Sequence, residues 1–210
     1  MNINSRWNNR YKEVQKKLQQ GLSLIEAAMV LALSAVVVAG VMAYYQSAST
    51  NEKLEKTIGE IMAIISAVNS TYSSAPDFSD LSDSKIAKTG ALPASFIDNT
   101  DPRYPRIKSP FGYSISLTGG GGLPDDPDST NNPSSQYYSL TLAVPRSVCA
   151  GLIRLDLGSN LVGLVLASGN KPLSVPIPVS VEQSQQFCEK AEETDELKGE
   201  DMVVLAYILR

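Results

Sequence analysis

One stretch near the N-terminus constrains this chain more than any other. Residues 22–45 form an apolar run in which Glu26 is the single charged residue and proline is absent. As an α-helix the run is about 36 Å long, enough to cross the ~30 Å hydrocarbon core of a bilayer. Five bases precede it, Arg6, Arg10, Lys12, Lys16 and Lys17, and Glu13 is the only acid before Gly21. A basic flank of this kind keeps the first residues on the cytoplasmic side.

Three readings compete for the run. A cleaved secretory signal has a shorter apolar region with its small-residue cut site after that region, and this pattern does not match. A plain single-pass anchor satisfies length and composition but leaves the acid unexplained. A carboxylate at the bilayer centre costs about 2.5–3.5 kcal/mol, less where it reaches the headgroups as Glu26 does from its place near the start of the run. The third reading gives the acid a partner. A cut between Gly21 and Leu22 creates an amine one helical turn from Glu26, and opposite charges attract strongly where the dielectric is low. Pairing between neighbouring chains would set their register. The residues alone leave the anchor and the cut chain both open.

The string Gly21-Leu22-Ser23-Leu24-Ile25-Glu26, followed by Ala27-Ala28-Met29-Val30-Leu31-Ala32-Leu33, resembles the class III signal of type IV prepilins. Its continuation through residues 39–49 is similar to the type IVb major pilins of enteric bacteria, the bundle-forming kind especially. The resemblance implies that a prepilin peptidase cuts after Gly21 and methylates Leu22, and that Glu26 is the acid needed for subunit assembly. The long basic leader and the Leu at the cut fit the b subclass; the a subclass has short leaders and usually Phe. Pilins of the a subclass usually carry a helix-breaking proline inside the run. Here Ala43 stands near that place, and Gly40 is the one weak point for a helix.

The chain has 210 residues, 43% of them hydrophobic, which suits one globular domain and a helical stem. Its formal charge is −4. Without the five bases and one acid of residues 1–21, 13 bases face 21 acids, a balance of −8. An acidic head does not suggest nucleic-acid binding; it suggests a solvated surface or one that presents charge to like copies. Histidine is absent, which excludes a histidine-based nucleophile relay and most zinc sites. Cys149 and Cys188 are the two cysteines, both outside the apolar run, and in an exported segment they read as one disulfide. Two separate buried thiols are the alternative.

Beyond residue 45 the spacing of Leu54, Ile58, Ile61, Met62, Ile65, Val68 and Tyr72 marks one face of an amphipathic helix. Glu52, Lys53, Glu55, Lys56 and Glu60 fall between them as a solvated face. One helix over residues 22–72 follows, apolar all round in 22–45 and on one side in 46–72, so its second half needs a sheet to lie on. Residues 73–110 read as an irregular connection with a short helix near 80–87, the place of the αβ-loop in the family. Residues 109–112 resemble the entry to the first strand of such pilins, and 113–117 alternate as that strand. Residues 118–136 carry four glycines and then Asp125, Asp126 and Asp128. Phosphate-loop spacing is absent, and the acids do not match a calcium loop, so a mobile hairpin tip is expected. Residues 137–144 form the strongest strand by composition, ended by Pro145. A helix is expected over 146–155, strands over 161–166 and 173–179, a helix over 181–196 with Cys188 in its middle, and an apolar central strand over 202–209. Pro172, Pro176 and Pro178 push 173–179 to an edge or to a non-strand. The cluster Glu189, Glu192, Glu193, Asp195 and Glu196 reads as a solvated helix face, or as a contact with bases on a neighbouring subunit.

The resulting expectation is an α+β fold with a long N-terminal helical spine on a mostly antiparallel sheet. Its divisions are a leader (1–21), the helix (22–72) and a head (73–210) containing the αβ-loop and a D-region bounded by Cys149 and Cys188. The implied function is a structural subunit of a type IVb pilus, used for adhesion, aggregation or mating contact. A minor pilin or pseudopilin of a type II secretion-like machine is the alternative. The implied partners are copies of the chain, the prepilin peptidase, the inner-membrane assembly machinery with an outer-membrane secretin, and host or neighbouring cell surfaces. The implied location is the inner membrane of a Gram-negative cell and then an extracellular pilus. Neither catalysis, nor a cofactor, nor a metal site, nor nucleic acid is expected.

Overall fold

A computed structural model describes residues 24–120, 135–167, 172–191 and 201–210. Contacts divide the chain into two units, residues 1–49 and 50–210. The first described element, α1, runs from Leu24 to Tyr72 as one uninterrupted helix. Nothing in that span breaks it: proline is absent until Pro76, and Gly40 and Gly59 are each flanked by helix-forming sequence.

The second unit contains the end of α1 and an antiparallel sheet in the order β1-β2-β3-β4-β7-β5-β6. The strands are β1 (Ile97–Asp98), β2 (Arg106–Lys108), β3 (Ser114–Gly119), β4 (Tyr138–Pro145), β5 (Leu161–Ala167), β6 (Leu173–Val175) and β7 (Met202–Leu209). Strand β4 alternates strictly between buried and half-buried positions, the mark of a strand with one face on a core. Strand β7 pairs with β4 over its whole length, from Tyr138↔Leu209 to Pro145↔Met202, and with β5 on its other side. It is the central strand that its apolar sequence predicts. Strand β6 is a three-residue edge, cut short by Pro176 and Pro178 as expected of proline in a ladder.

Ile61, Ile64, Ile65, Ala67 and Val68 of α1 join Leu140, Leu142, Leu164, Leu205 and Tyr207 of the sheet in one buried cluster. Of the predicted face, Ile61, Ile65 and Val68 are buried and Leu54, Ile58 and Tyr72 pack against the cluster, but its centre is turned. Met62 is exposed, while Thr57, Glu60 and Ile64 are buried. The stripe is therefore rotated toward positions 57, 60, 61, 64, 65 and 68, which are also spaced by three and four. Glu60, expected on the solvated face, is 7% exposed.

The connection after α1 is more ordered than its composition implies. A helix, α2 (Asp83–Lys88), is capped by Ser82, whose Oγ accepts from Lys85 N at 3.4 Å. Strands β1 and β2 then extend the sheet beyond β3, with Ile107 facing both Ile97 and Ile115. Residues 109–112 form the turn between β2 and β3, closed by Ser109 N donating to Tyr113 O at 2.7 Å and Gly112 N to Ser109 O at 2.9 Å. Helix α3 (Arg146–Ile153) follows β4 directly, with Pro145 at the switch from strand to helix. Helix α4 (Val181–Lys190) begins at a capping box: Gln183 N donates to Ser180 Oγ at 3.2 Å and Ser180 N to Gln183 Oε1 at 3.1 Å. Its described end is earlier than the predicted residue 196, and residues 192–196 lie outside the described residues. So does most of the expected hairpin tip, residues 121–134.

Candidate assembly site

The first half of α1 is built almost wholly of apolar side chains, and between Leu24 and Ala48 all but Ala27 are exposed. Leu24 is 88% exposed and Tyr44 77%. An exposed apolar surface of this length is far larger than a soluble monomer tolerates and marks a lipid or protein contact. The helix is long and apolar enough to cross a membrane by length and composition. Its few polar groups are handled locally: Ser34 Oγ donates to Val30 O at 2.7 Å, one turn back. Glu26 lies in the first described turn of α1. Gly21 and Leu22 lie outside the described residues.

Cys149 of α3 and Cys188 of α4 are joined in a disulfide, with Cα atoms 6.0 Å apart and a sequence separation of 39. Both sulfurs sit in the buried cluster, so the bond is part of the core as well as a clasp. Tyr207 of β7 donates its buried hydroxyl to Leu152 O at 2.8 Å, fixing α3 on the sheet. Burial in this setting pushes the Tyr207 phenol well above its ordinary range.

Arg146 was not singled out by sequence pattern, yet it holds this region together. Its guanidinium donates to Ala191 O at 2.9 Å and to Cys188 O, and its Nε reaches Asp201 Oδ1 at 2.8 Å. Its backbone N donates to Asp201 O at 3.0 Å. One planar fork thus ties the start of α3, the end of α4 and the entry to β7, a geometry that lysine cannot reproduce. An arginine after a strand-ending proline carries no periodic signal, so only the fold reveals it.

A second missed feature surrounds Glu60. Its Oε2 is buried without a hydrogen-bond partner among the described residues. Burial pushes its carboxyl up to about 7, against the opposing pull of the Lys108 charge. The signal for this was absent because a glutamate one helical turn after Lys56 reads as solvent-facing. Gly119 completes the list. A Cβ there would meet Phe78 O at 1.6 Å, so the segment after α1 crosses the end of β3 at backbone contact, with Gly119 N donating to Leu81 O at 3.2 Å.

The bundlin family model matches residues 46–210. The chain is 39% identical over 152 residues to the major structural subunit of bundle-forming pilus of Escherichia coli O127:H6 (strain E2348/69 / EPEC), spanning 72% of each chain. The same-named protein of Escherichia coli O111:H- matches equally. Among solved structures, the chain is similar to a type IVb pilin from Salmonella typhi at a TM-score of 0.49 and 13% identity, over 73% of this chain and 97% of that one. It is also similar to a type IV pilin from Vibrio cholerae El Tor biotype at a TM-score of 0.48 and 11% identity, over 76% and 99%. From the extent of the family match and the identity to curated relatives, this chain belongs to the bundlin family.

Proposed function

We propose that this chain is the structural subunit of a type IVb pilus, polymerised through the first half of α1. The observation that carries the reading is the long, exposed and almost uncharged stretch that α1 presents from Leu24 to Tyr45, in a family whose relatives include a major pilus subunit. Lipid covers that stretch while the chain is a prepilin in the inner membrane. In an extracellular fibre, copies of the same helix cover it, and Ala27, Ala28, Ala32, Ser34, Ala35, Ala39 and Gly40 allow their backbones to approach closely.

In this reading a prepilin peptidase cuts between Gly21 and Leu22 and methylates Leu22. The new amine of one copy meets Glu26 of a neighbour. The dehydrated interior of a helix bundle strengthens that attraction and penalises an unpaired carboxylate, so the pair selects a register. Residues 73–210 form the head, and the assembly machinery and outer-membrane secretin pass the fibre outward to meet other cells.

The test is to shear fibres from the cell surface and compare wild type with Glu26→Ala. Wild-type fibres are expected to consist mainly of this chain. The variant is expected to leave shortened subunits in the inner membrane and no fibres. Normal fibres from the variant contradict the pairing, and wild-type fibres holding only traces of the chain contradict its role as main subunit.

A further inference from the structure

Charge sets the inner limit of the apolar run and leaves its outer limit open. No charged residue stands between Glu26 and Glu52, and those 25 residues make about 37 Å of helix. A bilayer core takes about 30 Å of that, so the uncharged stretch exceeds it by more than one helical turn. A helix with that much play slides or tilts unless side chains at a boundary hold it.

Tyr44 and Tyr45 stand where such a boundary falls. They are the only aromatic residues from Leu24 to Thr71, and both are strongly exposed. The 20 residues from Leu24 to Ala43 precede them, about 30 Å of helix without a ring. Tyr44 lies 18 residues past Glu26, about 27 Å along the axis, so the acid and the phenols mark the two edges of one bilayer core. Successive side chains on a helix point about 100° apart, so the two rings cover a broad sector of α1. A tyrosine joins an apolar ring to a polar tip: the ring suits the end of the acyl layer, and the hydroxyl reaches ester and phosphate oxygens.

We propose that Tyr44 and Tyr45 dock in the phospholipid headgroup layer on the side away from the basic flank, and that this contact sets the depth of α1 before assembly. The inference deepens the lipid-covered stage of the fibre reading and rests on it. The same contact keeps Glu26 at the opposite edge, where its carboxylate stays hydrated and escapes the cost of the bilayer centre.

Thiol labelling of the full chain, in membranes from cells whose fibres have been sheared away, tests this. Cys149 and Cys188 are joined, so only an added cysteine reacts. A maleimide attacks the thiolate, which forms in water and not in hydrocarbon. Val36→Cys, Ala43→Cys, Ser47→Cys and Asn51→Cys are made one at a time. The first two are expected to be protected and the last two labelled. With Tyr44→Leu and Tyr45→Leu added, the boundary is expected to move outward by about one helical turn, so that Ser47→Cys loses its label and Asn51→Cys keeps it. Tyr44→Trp with Tyr45→Trp, which restores interfacial rings, is expected to return the original pattern. A labelled Ala43→Cys or a protected Ser47→Cys with both tyrosines present overturns the inference and leaves the fibre reading standing. So does a boundary that the leucines leave in place or that the tryptophans move equally. Labelling of Val36→Cys as strong as that of Asn51→Cys removes the membrane-spanning helix and overturns both.

Discussion

Glu60 shows most sharply how one side chain is decided by packing and not by its own chemistry. Its folded carboxyl is raised to about 7 while an exposed glutamate titrates near 4.5. Between those values the folded chain holds a proton that the unfolded chain has released, so stability falls as pH rises through this window. Below about 4.5 both states are protonated and the penalty is absent. Glu60→Gln, which stays neutral, is therefore expected to be more stable than wild type by about 2–3 kcal/mol at pH 8 and nearly equal to it at pH 4.5. Urea unfolding of the detergent-solubilised chain at the two pH values checks this; an equal difference at both contradicts it. At this scale the sequence was legible where chemistry is rare. Two cysteines outside the apolar run and one acid inside it stand out by type alone. Arg146 and Glu60 are common residues in ordinary surroundings, and their roles arise from segments distant in sequence.

Helix α3, helix α4 and the central strand β7 form the most cross-braced part of the head. The disulfide closes about 40 residues of chain, which in the chain-entropy model stabilises by about 4 kcal/mol. Cys149→Ser is expected to lower unfolding free energy by about that amount and to open the region near Cys188 to proteases; unchanged stability and protection contradict it. The Arg146 fork remains in such a variant, so loss of the covalent link is expected to loosen α4 before β7. Long strands with alternating or apolar sequence, β4 and β7, were legible from pattern alone. Strands β1 and β2 were not, because two or three residues are too few to show a period, and they form only by pairing onto β3. The rotated face of α1 was missed for a related reason: Met62 and Ile64 fit a helical stripe almost equally well, and the sheet chooses Ile64. Gly119 sat at the start of a glycine run that reads as loop, whereas its lack of a side chain is what admits the backbone of Phe78.

For the molecule as a whole, the decisive contrast lies between residues that bury one another and residues that do not. From Thr50 onward the chain closes an apolar core of its own; from Leu24 to Ala48 it closes none. The apolar run and its lone acid were legible before any fold was known, since length, charge and spacing define them. The proposed cut after Gly21 and methylation of Leu22 concern residues outside the described ones, and the mature protein is where they are tested. The most direct measurement of the central claim is the mass of the N-terminal peptide of subunits taken from sheared, washed fibres. The account predicts a first residue of Leu22 carrying one methyl group. Fibre subunits that begin at Met1, or fibres from which this chain is absent, would contradict it.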